Sequence, residues 1–368
     1  MKLTFLKLVN FRNYLNLEVS FHPNLNIIYG KNGSGKTNLV EAIYVLALTR
    51  SFRIVGDKTL VKDGESLCKV EGTSLDSFRT NYSIIINKDG KNVKINNNKV
   101  AKLSDYVSKL PIVLFNPDDL RFIKDTPSTR RKTLNISISE LDLEYLRYLS
   151  YYSKVLKQRN AYLKQMFINH TKDLSYLNIL TEKLVSYGIY LHVRRKKFID
   201  MINEYVGYFY EKITGVKGVK LEYLSDYNNL DRDALLSLYN KYLDKDLTFG
   251  KTHLGVHTDD LRFVLNSKDF KKYGSEGQQK NAIIAYKFSE IEIFKKVKDS
   301  YPILILDDLF SELDKEKKDN ILKLLDDNIQ TFITTTDLDL FPSINQYGYK
   351  KFKISDGSII EEGVHERR

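Results

Sequence analysis

The stretch that decides the fold is residues 30–37, "GKNGSGKT", which fits the pattern G-x-x-x-x-G-K-[ST]. A strand-like run, "LNIIY" (25–29), leads into it, and a helical pattern, "NLVEAIYVLAL" (38–48), leads out. The glycines let successive backbone N–H groups curl around phosphate oxygens with no Cβ in the way. The helix that starts there adds its positive end. The expectation is a nucleoside triphosphate site built from Gly30, Lys31, Asn32, Gly33, Ser34, Gly35, Lys36 and Thr37. Lys36 would reach the β- and γ-phosphates, and the Thr37 hydroxyl would face Mg²⁺. A chance glycine-rich turn is the bland alternative, and the flanking strand and helix argue against it.

Such a cradle needs an acidic metal partner. "ILILDDLFSELD" (303–314) supplies one, an apolar strand that ends in Asp307 and Asp308. Carboxylates at a strand end of an α/β sheet stand at the ligand edge. Asp307 is expected to hold the metal through water, and Asp308 to orient or deprotonate an attacking water. An acidic turn after a buried strand would explain the pair as well if the cradle were absent.

The 368 residues are 42% hydrophobic and 29% charged, enough for one large core or two moderate ones. The formal net charge of +11 favours a polyanionic partner. Cys68 is the single cysteine, so no internal disulfide can form and a reducing compartment is expected. "MKLTFLKLVNFRNY" lacks the features of a signal peptide, and no apolar run is long enough to span a bilayer. A cytoplasmic protein with no membrane role is expected.

Apolar residues recur at helical spacing from Leu141 to Phe167 and again from Leu177 to Ile213, joined by "INHTKDLS". Two long helices folding back as an antiparallel hairpin are predicted, with a shorter helix over 232–243. The organisation expected is an α/β domain interrupted by a helical insertion, with parts at 1–125, 126–245 and 246–368. Two basic clusters, Arg130 and Arg131, and "RRKK" (194–197) with Arg194 and Arg195, are candidates for DNA phosphate contacts, although charged faces are usually only solvated. His253 and His257 are four apart, a zinc spacing on a helix, but Gly255 between them argues for a loop.

The order of motifs narrows the class. "GSEGQQKN" (274–281) precedes a helix and then the paired-Asp strand. That layout resembles the ABC ATPases, whose Ser-Gly-Gly-Gln signature falls at Ser275, Gly277 and Gln278. Ser311 and Asp314 of "SELD" match the D-loop. Thr336 in "FITTTDL" stands where many members carry a switch His. More narrowly, the chain resembles the RecF family. The carriers are "LKLVNFRNY", "NLVEAIYVLALTRSFR", "VLFNPDDLRFIKDTPSTRRKTLN", "GVHTDDL" and "DDLFSELD", in order along the chain. Val256, Thr258, Asn135 and Glu276 depart from the family pattern.

This resemblance implies an ABC-ATPase head, a P-loop fold with a mixed sheet and flanking helices, carrying an inserted helical lever arm. It implies ATP and Mg²⁺ as cofactors, with Asn116 in the loop that completes the nucleotide site. It implies an ATP-dependent homodimer in which Ser275 and Gly277 of one copy meet the γ-phosphate held by the other. DNA is the implied partner, double-stranded, single-stranded, gapped or junction, together with RecR and RecO, in a role supporting gap repair with weak hydrolysis. A transporter subunit or a short SMC-like ATPase shares the motifs. The transporter normally has a more compact insert, and the SMC arm runs far longer.

Overall fold

The computed structural model describes residues 1–53, 56–169, 173–310, 313–336 and 346–366. Its contacts divide the chain into two units. The first holds Met1–Asp119, Glu211–Gly215 and Ile284–Arg368; the second holds Leu120–Tyr210 and Val216–Ile283.

The first unit is built on two six-stranded sheets. One is an antiparallel meander in which Lys2–Phe11 lies between Tyr14–Ser20 and Leu67–Leu75, followed by Arg79–Asn87, Gly90–Ile95 and Asn98–Lys99. The other orders its strands Ser358–His365, Tyr349–Ser355, Leu25–Tyr29, Thr331–Thr335, Ile303–Leu306 and Ile112–Phe115. All its pairings are parallel except the edge strand Ser358–His365, which is antiparallel. The neighbouring strands Ile303–Leu306 and Ile112–Phe115, the second at the sheet's edge, are buried at every position, as strands covered on both faces must be. The helix Lys36–Leu48 touches strands of both sheets and is buried almost all round, which explains its continuous apolar run. Gly72 makes room for it, because a Cβ there would lie 2.3 Å from Leu46 Cδ2.

The second unit is mainly helical. Leu143–Asn169 and Ser175–Thr214 form the predicted hairpin; the last turn of the second helix groups with the first unit. Tyr145 meets Arg195, Tyr148 meets Tyr190, Arg159 meets Thr181 and Tyr162 meets Tyr176, so positions rise on one helix as they fall on the other. Pro127–Leu141 precedes the pair, with Pro127 at the first helical position where a missing N–H costs nothing.

The domain boundaries differ from those expected. Residues 246–283 group with the helical unit rather than with the C-terminal part of the head. The cause is a sheet pairing: Asp260–Leu265 lies antiparallel to Val219–Leu224, with Asp260 opposite Leu224 and Leu265 opposite Val219. Hydrophobic periodicity identifies a strand but not its partner. Among the described residues no helix is long and apolar enough to cross a membrane.

Candidate functional site

Residues 30–37 connect the strand Leu25–Tyr29 to the helix Lys36–Leu48, and backbone sterics dictate their composition. Gly30 and Gly35 have φ of 152° and 118°. A Cβ on Gly30 would lie 2.3 Å from the Ile354 carbonyl oxygen, and one on Gly35 2.6 Å from Asn13 Nδ2. Asn13 Nδ2 donates to the Ser34 carbonyl at 3.2 Å, and Tyr14 donates to the Gly35 carbonyl at 3.0 Å. The loop is thus moulded from outside by the turn at 12–14. Lys36 Nζ crosses it, donating to the Gly30 and Lys31 carbonyls at 2.8 and 2.9 Å. Burial lowers the Lys36 pKa, opposed by the charges of Asp308 and Asp307.

The strand Ile303–Leu306 delivers Asp307 to this loop. Thr37 Oγ1 donates to Asp307 Oδ1 at 3.2 Å, and Thr334 Oγ1 donates to the same oxygen at 2.6 Å. Asp307 is 3% exposed. Burial raises its pKa, against the hydrogen bonds from Thr334 and Thr37 and the charge of Arg53. Asp308 is exposed, with φ 51°, and its N–H donates to Thr334 Oγ1 at 2.9 Å. The Thr37 hydroxyl and the Asp307 carboxylate are a pair of hard oxygens suited to Mg²⁺. Two further groups point to a ligand: Ser34 Oγ and Asn116 Oδ1 are buried without a hydrogen-bond partner among the described residues. Asn116 is anchored by its N–H, which donates to Asp119 Oδ2 at 2.9 Å.

Several residues at the cradle carried no role in the sequence reading. Glu41, fully buried, accepts both Nε and Nη2 of Arg12 at 2.9 and 2.7 Å and the Ser51 hydroxyl at 2.5 Å. Arg53 lies 3.6 Å from Glu41 and donates to Asn38 Oδ1 at 3.0 Å. A lone carboxylate inside the apolar run "NLVEAIYVLAL" was the available signal, since such a charge survives burial only when paired.

Ser275, Gly277 and Gln278 belong to the other unit. Ser275 N–H donates to Gln278 Oε1 at 2.9 Å and Gln278 N–H to Ser275 Oγ at 3.3 Å, a reciprocal capping box opening the helix Glu276–Lys298. Among the described residues Gly277 has no packing reason to be glycine, because an added Cβ meets none of them within 4 Å. The Glu276 carboxylate accepts from Lys124 Nζ at 2.7 Å, and that hydrogen bond lowers its pKa. Asp314 caps the helix Lys315–Lys323 by accepting the Lys317 N–H at 2.9 Å. Thr336 is exposed just beyond the strand Thr331–Thr335. Ser311 lies outside the described residues.

Two of the four arginines proposed to touch DNA are corrected. Arg195 is 2% exposed and bonds Asp259, the Val256 carbonyl, Tyr145 and Asn135. Arg130 is buried, chelates Asp260 through Nε and Nη2, and donates to the Phe122, Ile123 and Asp125 carbonyls. Neither guanidinium is available to a phosphate backbone. Arg131 is half-buried and donates to the Asp259 carbonyl at 2.6 Å. Arg194 stays half-exposed beside Asp142 and Tyr190. The histidines are internal: His253 Nδ1 bonds Asp246, and His257 bonds Tyr152 and the Thr252 carbonyl. Among the described residues no group of three or more His, Cys, Asp or Glu could hold a metal.

Residues 2–353 match the family described as RecF/RecN/SMC N terminal domain. A "DNA replication and repair protein RecF" from Latilactobacillus sakei is 36% identical over 372 residues, covering 98% of this chain and 99% of that one. The protein of the same description from Streptococcus thermophilus is 38% identical, covering 96% and 97%. A solved structure titled "recombination mediator protein RecF-ATP in RecFOR pathway" superposes with a TM-score of 0.90 at 33% identity, covering 98% and 97%. An Smc head bound to part of ScpA, 16% identical with a TM-score of 0.57 over 99% and 97%, shares the fold. Full-length likeness, with the cradle and the paired aspartates in place, shows that the chain belongs to the RecF family.

Proposed function

We propose that the chain is an ATP-dependent DNA-binding protein of recombinational and replication-gap repair, which dimerises on ATP, closes on DNA and assists recombinase loading. The observation that carries this reading is the junction of Thr37 and Asp307 at the mouth of a glycine-moulded loop, beside a lysine held by two backbone carbonyl oxygens. These groups fit a magnesium nucleotide. Lys36 would exchange two carbonyls for β- and γ-phosphate oxygens, and Thr37 and Asp307 would hold the metal. Bound Mg²⁺ supplies neutralisation of phosphate charge. Asn116 and Ser34 would turn their orphaned oxygens toward the nucleotide and its water shell. Asp308 would orient or deprotonate the attacking water, in a slow, DNA-stimulated hydrolysis that acts as a switch.

Ser275, Gly277 and Gln278 of one copy would complete the γ-phosphate site of another, with Asp314 and Thr336 lining the approach. The free space around Gly277 supports this, because nothing among the described residues requires a glycine there. The RecF relatives described as replication and repair proteins, and the neighbour of the RecFOR pathway, support DNA, RecR and RecO as partners. The work would take place in the cytoplasm.

Light scattering with and without ATP tests the reading, on the wild type and on Ser275→Arg. ATP should convert the wild type to a dimer, while the variant binds ATP and stays monomeric. A variant that dimerises normally would sink the signature assignment. Retention of duplex DNA that is absent at low salt, or indifferent to ATP, would remove the clamp.

A further inference from the structure

The helical hairpin carries two kinds of tyrosine. Tyr145 and Tyr152 point inward, with their hydroxyls bonded to Asn135 and His257. Tyr148, Tyr151, Tyr187 and Tyr190 gather instead on a partly exposed face. The Tyr148 and Tyr190 rings stack with centroids 3.9 Å apart and planes 15° from parallel. Tyr187 stands edge-on to Tyr148 at 5.7 Å, and Tyr151 packs on Tyr187 at 5.7 Å. Tyr151 is the outermost ring and is 47% exposed.

Cations bracket these rings at the spacings that share a helix face. Arg147 and Lys154 lie four residues before and three after Tyr151; Lys183 and Arg194 lie four before Tyr187 and four after Tyr190. Lys154 and Lys183 make no ion pair among the described residues. The Arg194 guanidinium sits over the Tyr190 ring, 5.1 Å from its centroid. Nearby acids are committed within the cluster, Glu144 to the Tyr190 hydroxyl at 2.9 Å and Asp142 to Arg194 at 3.3 Å.

We propose that this face is a stacking platform for unpaired bases of single-stranded DNA. Aromatic rings interleaved with cations bind a single strand without sequence preference, the rings taking base faces and the cations the phosphates. A duplex fits less well, since its base faces are already covered by their neighbours. The inference rests on DNA being the partner, as proposed above, and adds a site separate from the nucleotide cradle.

The test uses the full-length protein with a labelled thymidine oligonucleotide of about 20 nucleotides, where a lost stacking contact should weaken binding roughly tenfold. Fluorescence anisotropy is read at low salt for Tyr151→Ala and Tyr151→Phe, with a duplex of equal length in parallel. Tyr151→Ala should lose about tenfold on the single strand and nothing on the duplex, and Tyr151→Phe should bind as the wild type does. Unchanged single-strand binding by Tyr151→Ala would overturn the platform, as would equal losses on both DNAs or a phenylalanine variant as weak as the alanine one. A wild type that binds duplex but no single strand sinks the platform alone. One that binds neither sinks the DNA reading with it. Because Tyr151 is half out of the fold, its truncation should leave the thermal unfolding midpoint in place.

Discussion

Thr334 Oγ1 donates to Asp307 Oδ1 at 2.6 Å while accepting the Asp308 N–H at 2.9 Å. One buried hydroxyl therefore orients the carboxylate that faces Thr37 and fixes the left-handed backbone of the next residue, whose φ is 51°. The Asp307 carboxylate could not turn, nor the Asp308 backbone shift, without breaking a bond to the neighbouring strand.

Thr334→Val keeps the shape and removes both bonds. Asp307 would lose the donor that most opposes the effect of burial, so its pKa should rise further. A carboxylate must be ionised to hold a metal, and the variant should therefore lose Mg²⁺ binding at a higher pH than the wild type as the solution is acidified. The buried N–H left behind costs about 1–3 kcal/mol of stability. Titration of Mg²⁺-dependent nucleotide binding downward from neutral pH, through and above the ordinary carboxylate range, reads the shift. Superimposable wild-type and variant profiles would refute the role given to Thr334.

Gly30 and Gly277 should separate structure from function. At Gly30 a methyl meets the Ile354 carbonyl and the φ is one that L-residues avoid, so Gly30→Ala should destabilise by roughly 2–4 kcal/mol. Gly277 lies in the first turn of a helix with open space around it, and Gly277→Ala should leave stability unchanged or raise it by up to about 1 kcal/mol. ATP-dependent dimerisation should nonetheless weaken in Gly277→Ala. Denaturant melts give the first comparison, and light scattering the second. A Gly277→Ala protein that dimerises like the wild type would leave its glycine unexplained.

Arg195→Ala tests the corrected reading of the basic cluster. Removing it strands Asp259, which is 3% exposed and held by the guanidinium at 2.7 Å. Losing one partner of a buried pair costs about 3–5 kcal/mol. The variant should melt far below the wild type, whereas Lys196→Ala and Lys197→Ala, at exposed positions, should stay within about 0.5 kcal/mol. A normal melt for Arg195→Ala would contradict the buried network.

That correction shows where the sequence was legible and where it was not. The cradle and the paired aspartates are local: a glycine pattern between a strand and a helix, and acids at the end of an apolar strand, announce their backbone geometry directly. The hairpin was readable because Leu163, Leu177, Leu184 and Phe198 repeat at the helical period. "RRKK" reads as one surface patch only if period is ignored. Four consecutive residues go round the whole helix, and Arg195, four after Leu191 and three before Phe198, falls on the buried stripe. Arg159 does likewise, four residues before Leu163, where it pairs with the fully buried Asp246 at 2.7 Å. The pairing of Asp260–Leu265 with Val219–Leu224 carries no local mark, so the domain boundary had to come from the structure.

Lys287 offers the last test, at a charge cluster behind Asn116. Asp119 anchors the Asn116 N–H, and Lys287 lies within its field and 3.4 Å from Glu290. Burial works against the ammonium, but Asp119 and Glu290 outweigh it and hold the Lys287 pKa above the usual lysine range. Lys287→Met should thus leave the half-buried Asp119 without its cation, at a cost of about 1–3 kcal/mol. The sign of the pH dependence follows. An Asp119 carboxyl whose folded pKa lies above its unfolded value lowers stability above the folded pKa, and the penalty fades as pH falls through it. The deficit of Lys287→Met should therefore shrink on acidification, and adding Asp119→Asn should recover part of it at neutral pH, Glu290 keeping the rest. A double-mutant cycle on denaturant midpoints measures the coupling. If the two losses simply add, Lys287 does not support the Asn116 loop through Asp119.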